Sequence, residues 1–110
     1  MSAITTHVLD TARGAPAAGV AVTLAIRSSD SGWVTLGKAV TDADGRARDL
    51  LPQGQMLKAG TYRLLFDTGA YLPEGLYPEV AVTFRVADPA RPCHIPLLLS
   101  PYGYTTYRGS

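Results

Sequence analysis

The chain has little of what metal, disulfide and membrane chemistry require. Its 110 residues include one cysteine, Cys93, and two histidines, His7 and His94. A lone cysteine excludes an intrachain disulfide and fits a reducing, cytoplasmic compartment. A zinc site wants three or four ligands, and adjacent residues of a strand, such as Cys93 and His94, point to opposite faces. No metal is therefore expected, and the same geometry argues against a Cys–His nucleophile pair. No glycine-rich phosphate loop is present. Ten Lys and Arg against nine Asp and Glu give a net charge of +1, with no block of either sign. That balance argues against nucleic acid or an anionic membrane as partner. No apolar run approaches the roughly 18 residues of a membrane span. The stretch MSAITTHVLD lacks a basic and then an apolar region, so it does not read as a secretory signal. There is no repeat, linker or low-complexity segment, and the length suits one domain, residues 1–110.

Strand chemistry fills the chain instead. Period-two alternation places Val80, Val82, Phe84 and Val86 on one face, and likewise Val20, Val22, Leu24 and Ile26, and Tyr62, Leu64 and Phe66. Eleven glycines and eight prolines punctuate these runs in clusters such as TDADG and ADPARP. Strands are predicted at about residues 4–10, 20–28, 33–40, 45–50, 60–67, 79–87, 93–99 and 102–107. A turn or two of helix is predicted within residues 68–75. Such strands must bury their apolar faces against one another, which makes the chain an all-β sandwich.

Three positions stand out chemically. In ITTHVLD, His7 shares a face with Thr5 and Leu9, opposite Ile4, Thr6 and Val8. It is either a packing histidine or a base that changes protonation near neutral pH. In TDADGRARDL, the Asp44-Gly45 turn leads into Arg46 and Arg48, which share a face. Either they are charged guards of an exposed edge, or the strand aims a guanidinium, that of Arg46, at a carbonyl or oxyanion. In PCHIPLLLSPYGYTTYRGS, His94, Pro96 and Leu98 share a face. Pro96 predicts either an edge strand or a missing donor turned away from its neighbour. The chain then closes on Tyr107, Arg108, Gly109 and Ser110, an aromatic and charged terminus.

Together TTHVLDTARGAPAAGVAVTL, TDADGR, YPEVAVTF and HIPLLLSPYGYTTYRGS resemble the transthyretin-related proteins, and within them the 5-hydroxyisourate hydrolases of urate breakdown. The terminal YRGS is the most specific element, because the hormone-carrying transthyretins lack it and both histidines. The resemblance implies a transthyretin-like sandwich of two four-stranded sheets with one short helix. It implies a homotetramer, a dimer of dimers, whose sites lie at channel mouths lined by more than one subunit. The implied substrate is 5-hydroxyisourate, opened hydrolytically to 2-oxo-4-hydroxy-4-carboxy-5-ureidoimidazoline. His7, Arg46 and His94 are the implied catalytic residues, and Tyr107, Arg108, Gly109 and Ser110 the implied substrate-binding ones. The implied roles are water activation by the histidines, without saying which takes the proton, and oxyanion stabilisation by the arginines. The alternative is a transthyretin-like carrier of a small ligand in the same channel, which would want apolar walls.

Overall fold

The structure, a computed structural model, describes residues 3–110. Strands β1 (Ile4–Asp10), β2 (Ala15–Pro16), β3 (Ala21–Arg27), β4 (Trp33–Val40), β5 (Arg46–Ala47), β6 (Gly60–Phe66), β7 (Val80–Val86), β8 (Cys93–Ser100) and β9 (Gly103–Thr106) form two sheets. One sheet runs β2-β1-β8-β9 with β5 also on β1; the other runs β4-β3-β6-β7. The single helix, α1 (Thr68–Tyr71), is one turn, started by the Asp67 side chain accepting from the Ala70 N–H.

Alternation decides what each strand buries. In β1, Ile4, Thr6, Val8 and Asp10 face inward, while Thr5, His7 and Leu9 are half-exposed. Tyr62, Leu64 and Phe66 of β6 meet Val22 and Leu24 of β3, Val80 of β7, and Leu97 and Leu99 of β8 in one core. Each such side chain stabilises the fold by about 1.5–3 kcal/mol on leaving water. Inward polar groups are satisfied: the Thr6 hydroxyl donates to the Ile95 carbonyl at 2.5 Å, and the Tyr71 hydroxyl donates to buried Asp10 at 2.8 Å, tying α1 to the end of β1.

Several expectations need correction. The first sheet has five strands, not four, because two short pieces share the free side of β1. Strand β5 pairs at Thr6 and His7, and β2 at Leu9 and Asp10, end to end along the same neighbour. The predicted strand 45–50 shrinks to Arg46–Ala47, since Leu50 and Leu51 are both buried and consecutive inward residues cannot alternate. The last strand ends at Thr106, before Tyr107. Strand β8 is not an edge: it lies between β1 and β9. Its Pro96 is accommodated just past the last β8–β9 pair, Leu97 with Thr106, where the Pro96 carbonyl accepts from the Thr106 hydroxyl at 2.7 Å.

Two topological features position the site. Strands β1 and β8 pair in parallel from Ile4–Cys93 to Asp10–Leu99, bringing the two ends of the chain together mid-sheet. The turn 42–45 carries the chain from β4 in one sheet to β5 in the other. Its carboxylate, Asp42, accepts from the Asp44 and Arg46 N–H groups. Gly45 has φ +77°, and a Cβ there would stand 2.4 Å from the Val8 carbonyl oxygen, so the turn can sit on β1 only without a side chain.

Candidate active site

The site occupies the outer face of the first sheet. His94 pairs with Thr5, Pro96 with His7, and His7 with Arg46, so both histidines and the first arginine fall within two residues of one another across three strands. His94 Nδ1 is 2.8 Å from the Thr5 hydroxyl. His7 Nε2 is 2.8 Å from the Asp44 carbonyl oxygen. A carbonyl only accepts, so Nε2 of His7 carries the proton and, in the neutral ring, Nδ1 is left with a lone pair.

The C-terminal residues cross back over this face. Gly109 N–H donates to the His94 carbonyl at 2.8 Å and bridges to that residue. A Cβ on Gly109 would lie 2.5 Å from His94 Cδ2, so the glycine lets the backbone rest against the imidazole. The terminal residues that close on His94 are therefore those of its own chain. Arg108 reaches the Pro92 carbonyl at 3.4 Å.

Between these elements lies an open cleft of about 1030 Å³. His94, Arg46, Tyr107, Arg108, Gly109 and Ser110 all line it. His7 does not; its ring is turned onto the Asp44 carbonyl beside the cleft. Sequence reading did not assign Thr5 or Arg91, which also line it, nor give Arg48 and Asp49 a place there. Thr5 was within reach of that reading, as a hydroxyl two positions before His7 on the same face. Arg91 sits in a loop with no periodicity to reveal it, and the Asp44 carbonyl is backbone.

Four guanidiniums against one acidic side chain, Asp49, make the cleft electropositive. Partial burial holds the His94 pKa below its ordinary value of 6.5. The positive charges of Arg46 and His7 push the same way, and a hydrogen bond with the Thr5 backbone opposes them. His94 is thus kept neutral at neutral pH and able to accept a proton. Asp42 is held below the usual carboxylate range, chiefly by the Arg46 N–H, so the turn that aims Arg46 stays ionised.

The sequence profile of the HIUase/transthyretin family matches residues 4–109. Mouse 5-hydroxyisourate hydrolase is 46% identical, over 99% of this chain and 96% of its own. The Arabidopsis uric acid degradation bifunctional protein TTL is 44% identical over 97% of this chain, which spans 37% of that longer protein. Among solved structures, Klebsiella pneumoniae 5-hydroxyisourate hydrolase superposes with a TM-score of 0.85 at 35% identity over the full length of both chains. Sea bream transthyretin in complex with thyroxine superposes with 0.88 at 33% identity, over 96% of this chain and 93% of its own. An enzyme and a ligand-binding protein thus share this backbone, and the side chains of the cleft must decide between them. The chain belongs to the HIUase/transthyretin family.

Proposed function

We propose that this protein is a hydrolase that opens the six-membered ring of 5-hydroxyisourate, giving 2-oxo-4-hydroxy-4-carboxy-5-ureidoimidazoline. The observation that carries this reading is a neutral imidazole, His94, gripped between Thr5 and Gly109 in a cleft with Arg46 and Arg108. The close relationship to the mouse hydrolase supports the substrate. The cationic cleft weighs against a carrier of apolar ligands, although the fold would serve either.

Water is a weak nucleophile and a lactam carbonyl is resonance-stabilised. As a water oxygen bonds to the carbonyl carbon, its proton passes to His94. Such general-base help is worth about 10²–10⁴ in rate. The carbonyl oxygen becomes an oxyanion, for which Arg46 and Arg108 supply fixed N–H donors. Collapse restores the carbonyl and breaks the ring C–N bond, and the imidazolium returns its proton to the departing nitrogen. The new acid ionises to a carboxylate in a cleft of guanidiniums. His7, its ring held beside the cleft by the Nε2–H bond to the Asp44 carbonyl, acts on His94 through its charge rather than by contact. Tyr107, Gly109 and Ser110 hold the planar ring. The reaction oxidises nothing, so water is the only co-substrate.

The functional unit we propose is a homotetramer, a dimer of dimers, in the cytoplasm. Family membership supports it, as do the outer edges of β7 and β9, unpaired among the described residues, and the exposed Tyr102 and Tyr104. The buried thiol of Cys93 suits a reducing compartment.

The test is spectrophotometric. 5-Hydroxyisourate is generated in situ from urate and urate oxidase, the protein is added, and the ultraviolet decay is compared with a buffer control. Faster decay is expected; identical decays would overturn the reading.

A further inference from the structure

We infer that Thr5 is a positioning residue that sets the tautomer of His94, its hydroxyl accepting Nδ1–H so that the Nε2 lone pair faces the cleft. The inference rests on the reading of His94 as the proton acceptor.

Thr5 and His94 are direct partners in the parallel β1–β8 pairing, and 2.8 Å separates Oγ1 from Nδ1. The opposite side of the ring, at Cδ2, lies against the Gly109 backbone. The imidazole is therefore gripped on both flanks. That leaves Cε1 and Nε2 as the ring's far edge, and His94 lines the cleft. A hydroxyl can donate or accept, so the Thr5 contact alone allows either tautomer. The surrounding charge selects one.

Arg46 from β5, Arg48 just beyond it, Arg91 from the loop before β8 and Arg108 from the terminal residues all line the cleft. His7 on β1 adds a further positive charge when protonated, and Asp49 is the one acidic side chain among the lining residues. An N–H directed into that field places positive on positive; a lone pair directed into it is stabilised. The field thus favours Nε2 unprotonated and Nδ1 protonated, with Thr5 as the acceptor. This is the form a general base needs at the exposed nitrogen. Removing the hydroxyl takes away the side-chain acceptor of Nδ1–H, and the proton moves toward Nε2 to reach water. The base would then present a donor where it must accept.

The experiment uses the full-length protein carrying ¹⁵N-histidine, whose two rings are told apart with a His7→Gln spectrum. Long-range ¹H–¹⁵N correlation at pH 7.5 reads the tautomer directly. We expect His94 to be Nδ1–H in the unaltered protein and in Thr5→Ser, and shifted toward Nε2–H in Thr5→Val. The rate kcat should fall about tenfold in Thr5→Val, the scale of one hydrogen bond, with KM little changed and Thr5→Ser restoring it. An Nε2–H ring in the unaltered protein overturns the inference whatever the activity. So does an Nδ1–H ring that Thr5→Val leaves unchanged. The stated tautomers together with a fully active Thr5→Val protein uphold the hydrogen bond and overturn His94 as the proton acceptor.

Discussion

Gly109 and His94 touch in two ways: the glycine N–H donates to the histidine carbonyl at 2.8 Å, and the missing glycine side chain leaves room for the imidazole. The terminal residues are thus fastened to the residue proposed to take the proton. A Cβ at 109 would meet Cδ2 at 2.5 Å and Pro96 Cγ at 3.1 Å. Gly109→Ala is expected to lift residues 108–110 from the cleft and lower kcat/KM by at least about tenfold. Thermal unfolding should barely change, because no core side chain is disturbed. Wild-type kcat/KM in this variant, measured by the ultraviolet decay, would show that the terminal contact is not used.

The acid side of the pH profile follows from the depressed His94 pKa. Burial, Arg46 and His7 all disfavour its protonation. The midpoint of the acid limb should lie below pH 6.5, as the ring gains its proton. A midpoint above 6.5, or a rate with no acid limb, would exclude a histidine base in this environment.

The same shift has a sign for stability. Between the ordinary value of 6.5 and the lower folded value, the unfolded chain binds more protons than the folded one. This contribution is fully present above pH 6.5 and is lost as pH falls through the folded pKa. Denaturant unfolding of wild type and His94→Gln should therefore diverge in pH dependence below 6.5, the wild type losing more stability. Parallel curves would contradict the lowered pKa.

Arg46 is aimed by the 42–45 turn, and its guanidinium lines the cleft. Losing one oxyanion donor typically costs about 2.7–4 kcal/mol, or 10²–10³ in kcat. Arg46→Gln is expected to fall in that range with unfolding little altered. Gly45→Ala should do the reverse in kind: positive φ and the 2.4 Å approach to Val8 predict a stability loss of about 1–3 kcal/mol, read from denaturant midpoints.

Sequence pattern carried the sandwich well, because alternation is a local consequence of burying one strand face, as in Tyr62, Leu64 and Phe66. It failed where tertiary packing overrides the period. Leu50 read as the end of a strand, yet it and its neighbour Leu51 both turn inward. Pro96 read as either an edge residue or one whose missing donor turns from its neighbour, and it sits inside a sheet, one residue past the end of the β8–β9 ladder. The histidines, Arg46 and the terminal residues were legible as unusual residue types at defined positions. Their convergence depends on the parallel β1–β8 pairing, a contact between chain ends that no local signal encodes. A contact made through a backbone carbonyl, as Asp44 makes with His7, leaves no mark on the identity of Asp44.

The most direct measurement compares the ultraviolet decay of 5-hydroxyisourate with wild type and with His94→Ala at equal concentrations of folded protein, the fold checked by circular dichroism. The account predicts a rate lower by about 10²–10⁴ for the variant, the span of general-base catalysis. A His94→Ala protein that opens the ring at the wild-type rate would contradict it.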